Sequence, residues 1–117
     1  MISNKDFFNN SKILPVDKFI ENVLYSKKVG YYSSKIPFGN NGDFLTAPGI
    51  SNLFSEIIAI WLVTTWNTLG RPKKFNIVEL GPGDGSLTKI LLRTFQQFPL
   101  FYKATNIFLY EKSNLLK

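Results

Sequence analysis

Glu79, Gly81, Gly83 and Gly85 place one carboxylate and three glycines at alternate positions within seven residues. A carboxylate at a strand tip attracts a cation. Glycine permits φ > 0 and, having no Cβ, lets the main chain approach a ligand closely. Ser86 follows, opening a helix whose first N–H groups are unpaired and point toward the turn. The dinucleotide fingerprint needs its third glycine at +5 from the first, where this chain has Ser86. A dinucleotide would also need room for a pyrophosphate on the helix N-terminus. The acid suits a cationic ligand better than a phosphate. S-adenosyl-L-methionine, with an ammonium and a sulfonium and no phosphate, is therefore the favoured cofactor. A tight turn without any ligand is the alternative for a glycine-rich bend considered by itself.

Those residues need a frame to hold them. Four of the six residues from Phe75 to Leu80 are apolar, as in a strand covered on both faces. A helix over 86–98 follows, with Leu87, Ile90, Leu91, Thr94 and Phe95 inward, Lys89 and Arg93 outward, and Pro99 as its stop. A second strand over 107–110 ends in Glu111, 26 residues beyond Gly85. The order is that of a βαβ unit with a right-handed crossover, so the fold class is α/β.

Upstream, Met1 to Leu14 read as a flexible lead-in, and 15–70 as a helical and loop region ahead of the incomplete ligand-binding unit at 71–117. Pro15 suits a helix start, and Val16, Phe19, Ile20, Val23 and Leu24 form one apolar stripe. Lys27 and Lys28 fall near the end of that helix, with Gly30 as its C′ residue. From Tyr31 to Pro48 an ordered loop or short irregular strands are expected, with Gly39-Asn40-Asn41-Gly42 as a turn. Asp43 serves either local capping or the site, and Thr46 opens the next helix. The longest helix, over 51–69, carries Leu53, Phe54, Ile57, Ile58, Trp61, Leu62 and Trp66 in a band wide enough to need cover on more than one side. Both tryptophans read as core, Glu56 as solvated or paired, and Gly70 with Pro72 as the stop.

Composition narrows the chemistry further. The 117 residues contain no cysteine and no histidine. Disulfides, thiolate metal sites, histidine acid–base chemistry and Ser-His triads are thereby excluded within this chain. The net charge of +6 comes from scattered lysines, with no run of five basic residues, so no specific nucleic-acid partner is expected. The longest apolar run, 57–63, is far shorter than a bilayer span, and no membrane partner is expected. With no signal pattern at the start and no arginine before Arg71, a bacterial-type cytoplasmic protein is expected rather than a mitochondrial one.

Two stretches together carry a family resemblance. Val78-Glu79-Leu80-Gly81-Pro82-Gly83-Asp84-Gly85 resembles the first motif of the MidA-type methyltransferases, relatives of the mitochondrial complex I assembly methyltransferase. Gly30-Tyr31-Tyr32, Phe38-Gly39, Gly42-Asp43-Phe44-Leu45-Thr46-Ala47-Pro48 and Ile50-Ser51 are similar to that family's N-terminal signature, in the same order. The resemblance runs from about Pro15 to the end and matches only the N-terminal part of a typical member. It implies a Rossmann-like fold, S-adenosyl-L-methionine as cofactor, and transfer of a methyl group to protein arginine, linked to a complex I subunit. It implies that Glu79, Gly81, Gly83, Gly85 and Glu111 touch the cofactor, with Glu111 accepting from the ribose hydroxyls. An acid placed at a strand end for solubility is the alternative for Glu111.

Where the family usually has glutamate, this chain has Gly49; where it usually has glycine, this chain has Ser55. If that glutamate serves the acceptor site, its loss bears on activity. No catalytic residue is assignable. Two parallel strands would leave open edges and bare apolar faces. A truncated fragment is therefore expected, either of the enzyme itself or a non-enzymatic remnant or interaction module that complements a second chain supplying the missing sheet.

Overall fold

The structure, a computed structural model, describes residues 13–38 and 42–116. Most of the lead-in, and three of the four residues of the turn at 39–42, lie outside the described residues. The chain divides into two compact units, one within residues 1–37 and 113–117, the other within 38–112.

In the first unit, Pro15 caps helix α1 (Val16–Tyr25), with Asp17 in the first turn. The helix stops at Tyr25, before the Lys27, Lys28 and Gly30 expected to close it. Gly30 is not a left-handed terminator: its φ is −65°, and it caps a second short helix, α2 (Tyr31–Ser34). Glycine is needed there because a Cβ would lie 2.4 Å from the main-chain nitrogen of Ser26. The Tyr25 and Tyr32 rings stack at 5.6 Å, and Ser33 Oγ donates to the Tyr25 carbonyl at 3.1 Å. Ser113, buried, donates from its Oγ to the Tyr32 carbonyl at 2.5 Å. Of the expected stripe, Val16, Phe19 and Ile20 are exposed.

The second unit begins with an isolated parallel bridge between Phe38 and Phe44. Helix α3 (Ala47–Ile50) follows, with Thr46 at its N-cap. Helix α4 (Asn52–Thr68) is capped by Ser51, whose Oγ accepts from the Leu53 N–H at 3.2 Å. It ends in a Schellman turn: Arg71 N–H donates to the Trp66 carbonyl and Gly70 N–H to that of Asn67, with Gly70 at φ 79°. Strand β1 (Phe75–Leu80) follows. Helix α5 (Ser86–Phe95) ends short of Phe98. Pro99 does not merely stop a helix. It starts a new one, α6 (Pro99–Ala104), because its fixed φ suits a first helical position. Strand β2 (Thr105–Tyr110) then pairs with β1 in parallel, from Phe75 opposite Thr105 to Leu80 opposite Tyr110.

The core gathers Ala59, Val63 and Trp66 of α4, Leu91 and Phe95 of α5, and Phe101 and Ala104 of α6. Phe101 is its hub, edge-on to Trp66 at 5.5 Å and to Phe95 at 4.8 Å. Trp66 Nε1 donates to the Pro72 carbonyl at 2.9 Å, so its one polar group is satisfied inside. Helix α4 buries a narrow stripe of Ser55, Ala59, Val63 and Trp66, with Ile58 and Leu62 partly buried beside it, rather than the whole of its wide apolar band. Leu53, Ile57 and Trp61 are exposed, so only one of the two tryptophans is core.

The strands are covered on one face and not on two. Phe75, Ile77 and Ile107 pack on the core, whereas Val78, Leu80, Phe108 and Tyr110, on the opposite face, are exposed. Among the described residues no helix is long and apolar enough to cross a membrane.

Candidate functional site

The ladder carries β1 and β2 to the same height. Beyond Leu80, the Gly81 N–H still donates to the Tyr110 carbonyl at 2.8 Å, so the two strand ends leave the sheet side by side. The turn that follows bends through three left-handed positions, with φ of 68° at Gly81, 59° at Gly83 and 73° at Gly85. A side chain at such angles is strained, which is the local reason for glycine at each. Gly85 N–H donates to the Pro82 carbonyl at 2.9 Å, and Asp84 Oδ1 accepts from the Ser86 N–H at 3.0 Å. Gly85 then serves as N-cap of α5.

Two features set the glycines apart from an ordinary turn. A Cβ built on Gly81 or Gly85 meets nothing within 4 Å, so the main chain there borders open space. At Gly83 a Cβ would come within 3.0 Å of the Phe38 ring, which lies against the middle of the turn.

Both acids stand beside this bend. Glu79, half-buried one residue before the end of β1, accepts through Oε2 from the Thr88 hydroxyl of α5. Thr88 is the one hydrogen-bond partner of the Glu79 carboxylate among the described residues, and no cation pairs with it there. Glu111, half-buried just past β2, accepts through Oε2 from the Gly83 N–H at 3.3 Å. The five residues singled out from sequence thus lie on one loop and two adjacent strand ends. Asp43 is exposed on the segment before α3.

Thr88 and Phe38 escaped the sequence reading in any site role. In sequence Thr88 is a polar residue on an amphipathic helix, with no motif to mark it. The available signal was its place at the third position of α5, above the tip of the preceding strand. Among the described residues no group of three or more acidic side chains could hold a metal ion.

A parallel β-α-β unit with a left-handed glycine turn at the strand ends, flanked by two carboxylates, defines a nucleoside-binding α/β protein as a class. Comparison with known proteins narrows this. Residues 57–117 match the family model described as "Putative S-adenosyl-L-methionine-dependent methyltransferase". The chain belongs to that family.

Its relatives include the mitochondrial protein arginine methyltransferase NDUFAF7 homolog of Drosophila melanogaster, 42% identical over 85 residues. That match covers 73% of this chain and 20% of the relative. The mitochondrial NDUFAF7 of Homo sapiens is 37% identical over 94 residues, covering 80% and 21% respectively. A solved structure of a COG1565 superfamily member from Burkholderia thailandensis, bound to S-adenosyl-homocysteine, superimposes with a TM-score of 0.66 at 29% identity. That superposition takes in 82% of this chain and 25% of the other. The chain therefore spans about a fifth of the length of the curated relatives it matches.

The relatives overturn the expected compartment. A bacterial-type cytoplasmic protein was the reading of the N-terminal residues, yet the matched animal proteins are mitochondrial. A targeting address is read by a receptor and is independent of the fold, so the residues before Arg71 do not decide the compartment.

Proposed function

We propose that this chain forms the cofactor-binding start of a methyltransferase that takes S-adenosyl-L-methionine and modifies protein arginine. The observation that carries the reading is Glu79. It is a half-buried carboxylate with, among the described residues, a single neutral partner and no cation, set beside a turn whose outer glycines border open space. A half-buried carboxylate without a counter-charge favours a cationic ligand, and bare main chain admits one at close range. The residues present fit the cofactor.

When bound, the cofactor would supply a sulfonium-activated methyl group. This chain's own residues would bind and orient it. Glu79 would counter the ligand's positive charge. Gly81, Gly83 and Gly85 would let the backbone pass close to it. Glu111 would accept from the ribose hydroxyls while holding the turn through the Gly83 N–H. Such positioning accounts for a large part of the rate in an in-line displacement. An arginine of a protein is the acceptor that the relatives' names support, and a complex I subunit is the finer assignment that the resemblance supports. The mitochondrion is the compartment those names support. Domain-wise, residues 71–117 would be the start of the cofactor unit, following a helical and loop region at 15–70.

Titration of the purified 117-residue chain with S-adenosyl-L-methionine by calorimetry tests this reading. Saturable binding that is lost in Glu79→Ala supports it. A folded chain that releases or absorbs no heat, across the millimolar range, overturns it for this chain.

A second reading has one specific observation in its favour. Val78, Leu80, Phe108 and Tyr110 form an exposed apolar sheet face, and α4 exposes Leu53, Ile57 and Trp61. Such surface fits a non-catalytic module completed by a second chain. Co-expression with the remaining part of a relative, followed by co-purification, tests it. Silence in the binding titration together with a stable complex would favour this second reading.

A further inference from the structure

We infer that Thr88 is a positioning residue for Glu79, holding one carboxylate oxygen so that the acid faces a ligand's cation in a fixed orientation. The inference rests on the cofactor reading above and deepens it.

Three observations carry it. Thr88 is buried, at 7% exposure, and its hydroxyl donates to Glu79 Oε2. A hydroxyl has one proton to give, and the use made of it here differs from that elsewhere in this chain. Thr64, Thr65, Thr68 and Thr94 each donate to the carbonyl four residues earlier in their own helix. Thr88 stands in the first turn of α5, where it donates across to a strand instead. That bond ties the carboxylate at the tip of β1 to the first turn of α5.

Geometry alone would also suit a packing role, so substitution must separate the two. A carboxylate left to rotate loses binding only for ligands that present a cation to it. Thr88→Val keeps the shape and removes the hydroxyl, whereas Thr88→Ser keeps the hydroxyl. With calorimetry on the full chain, Thr88→Val is expected to weaken S-adenosyl-L-methionine by about tenfold, the scale of one hydrogen bond to a charged group. Neutral 5′-methylthioadenosine, which lacks the ammonium and the sulfonium, should bind the variant and the parent alike. Thr88→Ser should restore the parent value. Equal weakening of both ligands in Thr88→Val, or no weakening of either, overturns the inference.

If the parent chain binds neither ligand, the cofactor reading fails by itself. The hold of Thr88 on Glu79 is then read separately from any ligand, by proton NMR of the Thr88 hydroxyl. A slowly exchanging resonance that disappears in Glu79→Ala upholds it. A hydroxyl that exchanges freely in the parent overturns it.

Discussion

The main-chain N–H of Gly83 donates to Oε2 of Glu111 at 3.3 Å, joining residues 28 positions apart in the chain. The bond makes the middle of the glycine turn dependent on an acid carried by the neighbouring strand. In Glu111→Ala the Gly83 amide should exchange with solvent about tenfold faster, as loss of one charge-assisted bond implies. Glu111→Gln, which keeps an acceptor oxygen, should fall between. Amide hydrogen exchange followed by NMR reads this directly, and an unchanged Gly83 rate would show that the turn stands without the acid.

The three glycines should not be equivalent under substitution. Alanine at Gly81 or Gly85 meets open space, so the loss is the strain of a left-handed backbone, about 1–2 kcal/mol each. Alanine at Gly83 adds a clash with the Phe38 ring, which must move. Urea denaturation should therefore rank Gly83→Ala as the least stable. Phe38→Ala combined with Gly83→Ala should recover the contact component and leave the strain.

Ser55 is fully buried, and its hydroxyl has no hydrogen-bond partner among the described residues. An unsatisfied buried hydroxyl is destabilising, and alanine has the higher helix propensity. Ser55→Ala should raise stability by about 1 kcal/mol in a thermal or urea melt. Ser55→Gly, the residue usual in the family by the resemblance noted above, should lower it by about 1 kcal/mol relative to alanine.

Trp66 and Trp61 stand five residues apart on one helix with opposite fates. Trp66 is buried and donates to the Pro72 carbonyl, while Trp61 is 61% exposed. Iodide should quench the fluorescence of Trp66→Phe strongly and that of Trp61→Phe weakly. Trp66→Phe should cost about 1–2 kcal/mol for the lost hydrogen bond and packing. Trp61→Phe should change stability by less than about 0.5 kcal/mol.

Much of the geometry of the candidate site was readable from residue order, for physical reasons. A short apolar run followed by alternate glycines leaves few backbone solutions, and β1 and the start of α5 fall where the pattern put them. Glu111 was placed by the length of a crossover. What escaped depended on packing. Helix α4 is apolar on nearly every side, so sequence could not tell which stripe is buried, and the small Ser55 and Ala59 prevail because they let the neighbouring elements approach. Pro99 is compatible with both a stop and a start, and only the partners of Phe101 decide between them. The hydrogen bond of Thr88 to Glu79 is likewise tertiary and leaves no local pattern.

The in-phase pairing of β1 and β2, residue for residue from Phe75 with Thr105 to Leu80 with Tyr110, reaches beyond the sheet itself. Successive strand residues point to opposite sides, so losing one residue between Thr105 and Tyr110 would swing Glu111 to the far side of the layer. Residues added at Gln96 or Gln97, in the bend between two helices, would leave it in place. The span between the two acids is thus a property of strand length, and the chain can drift in its connecting bends without losing that measure.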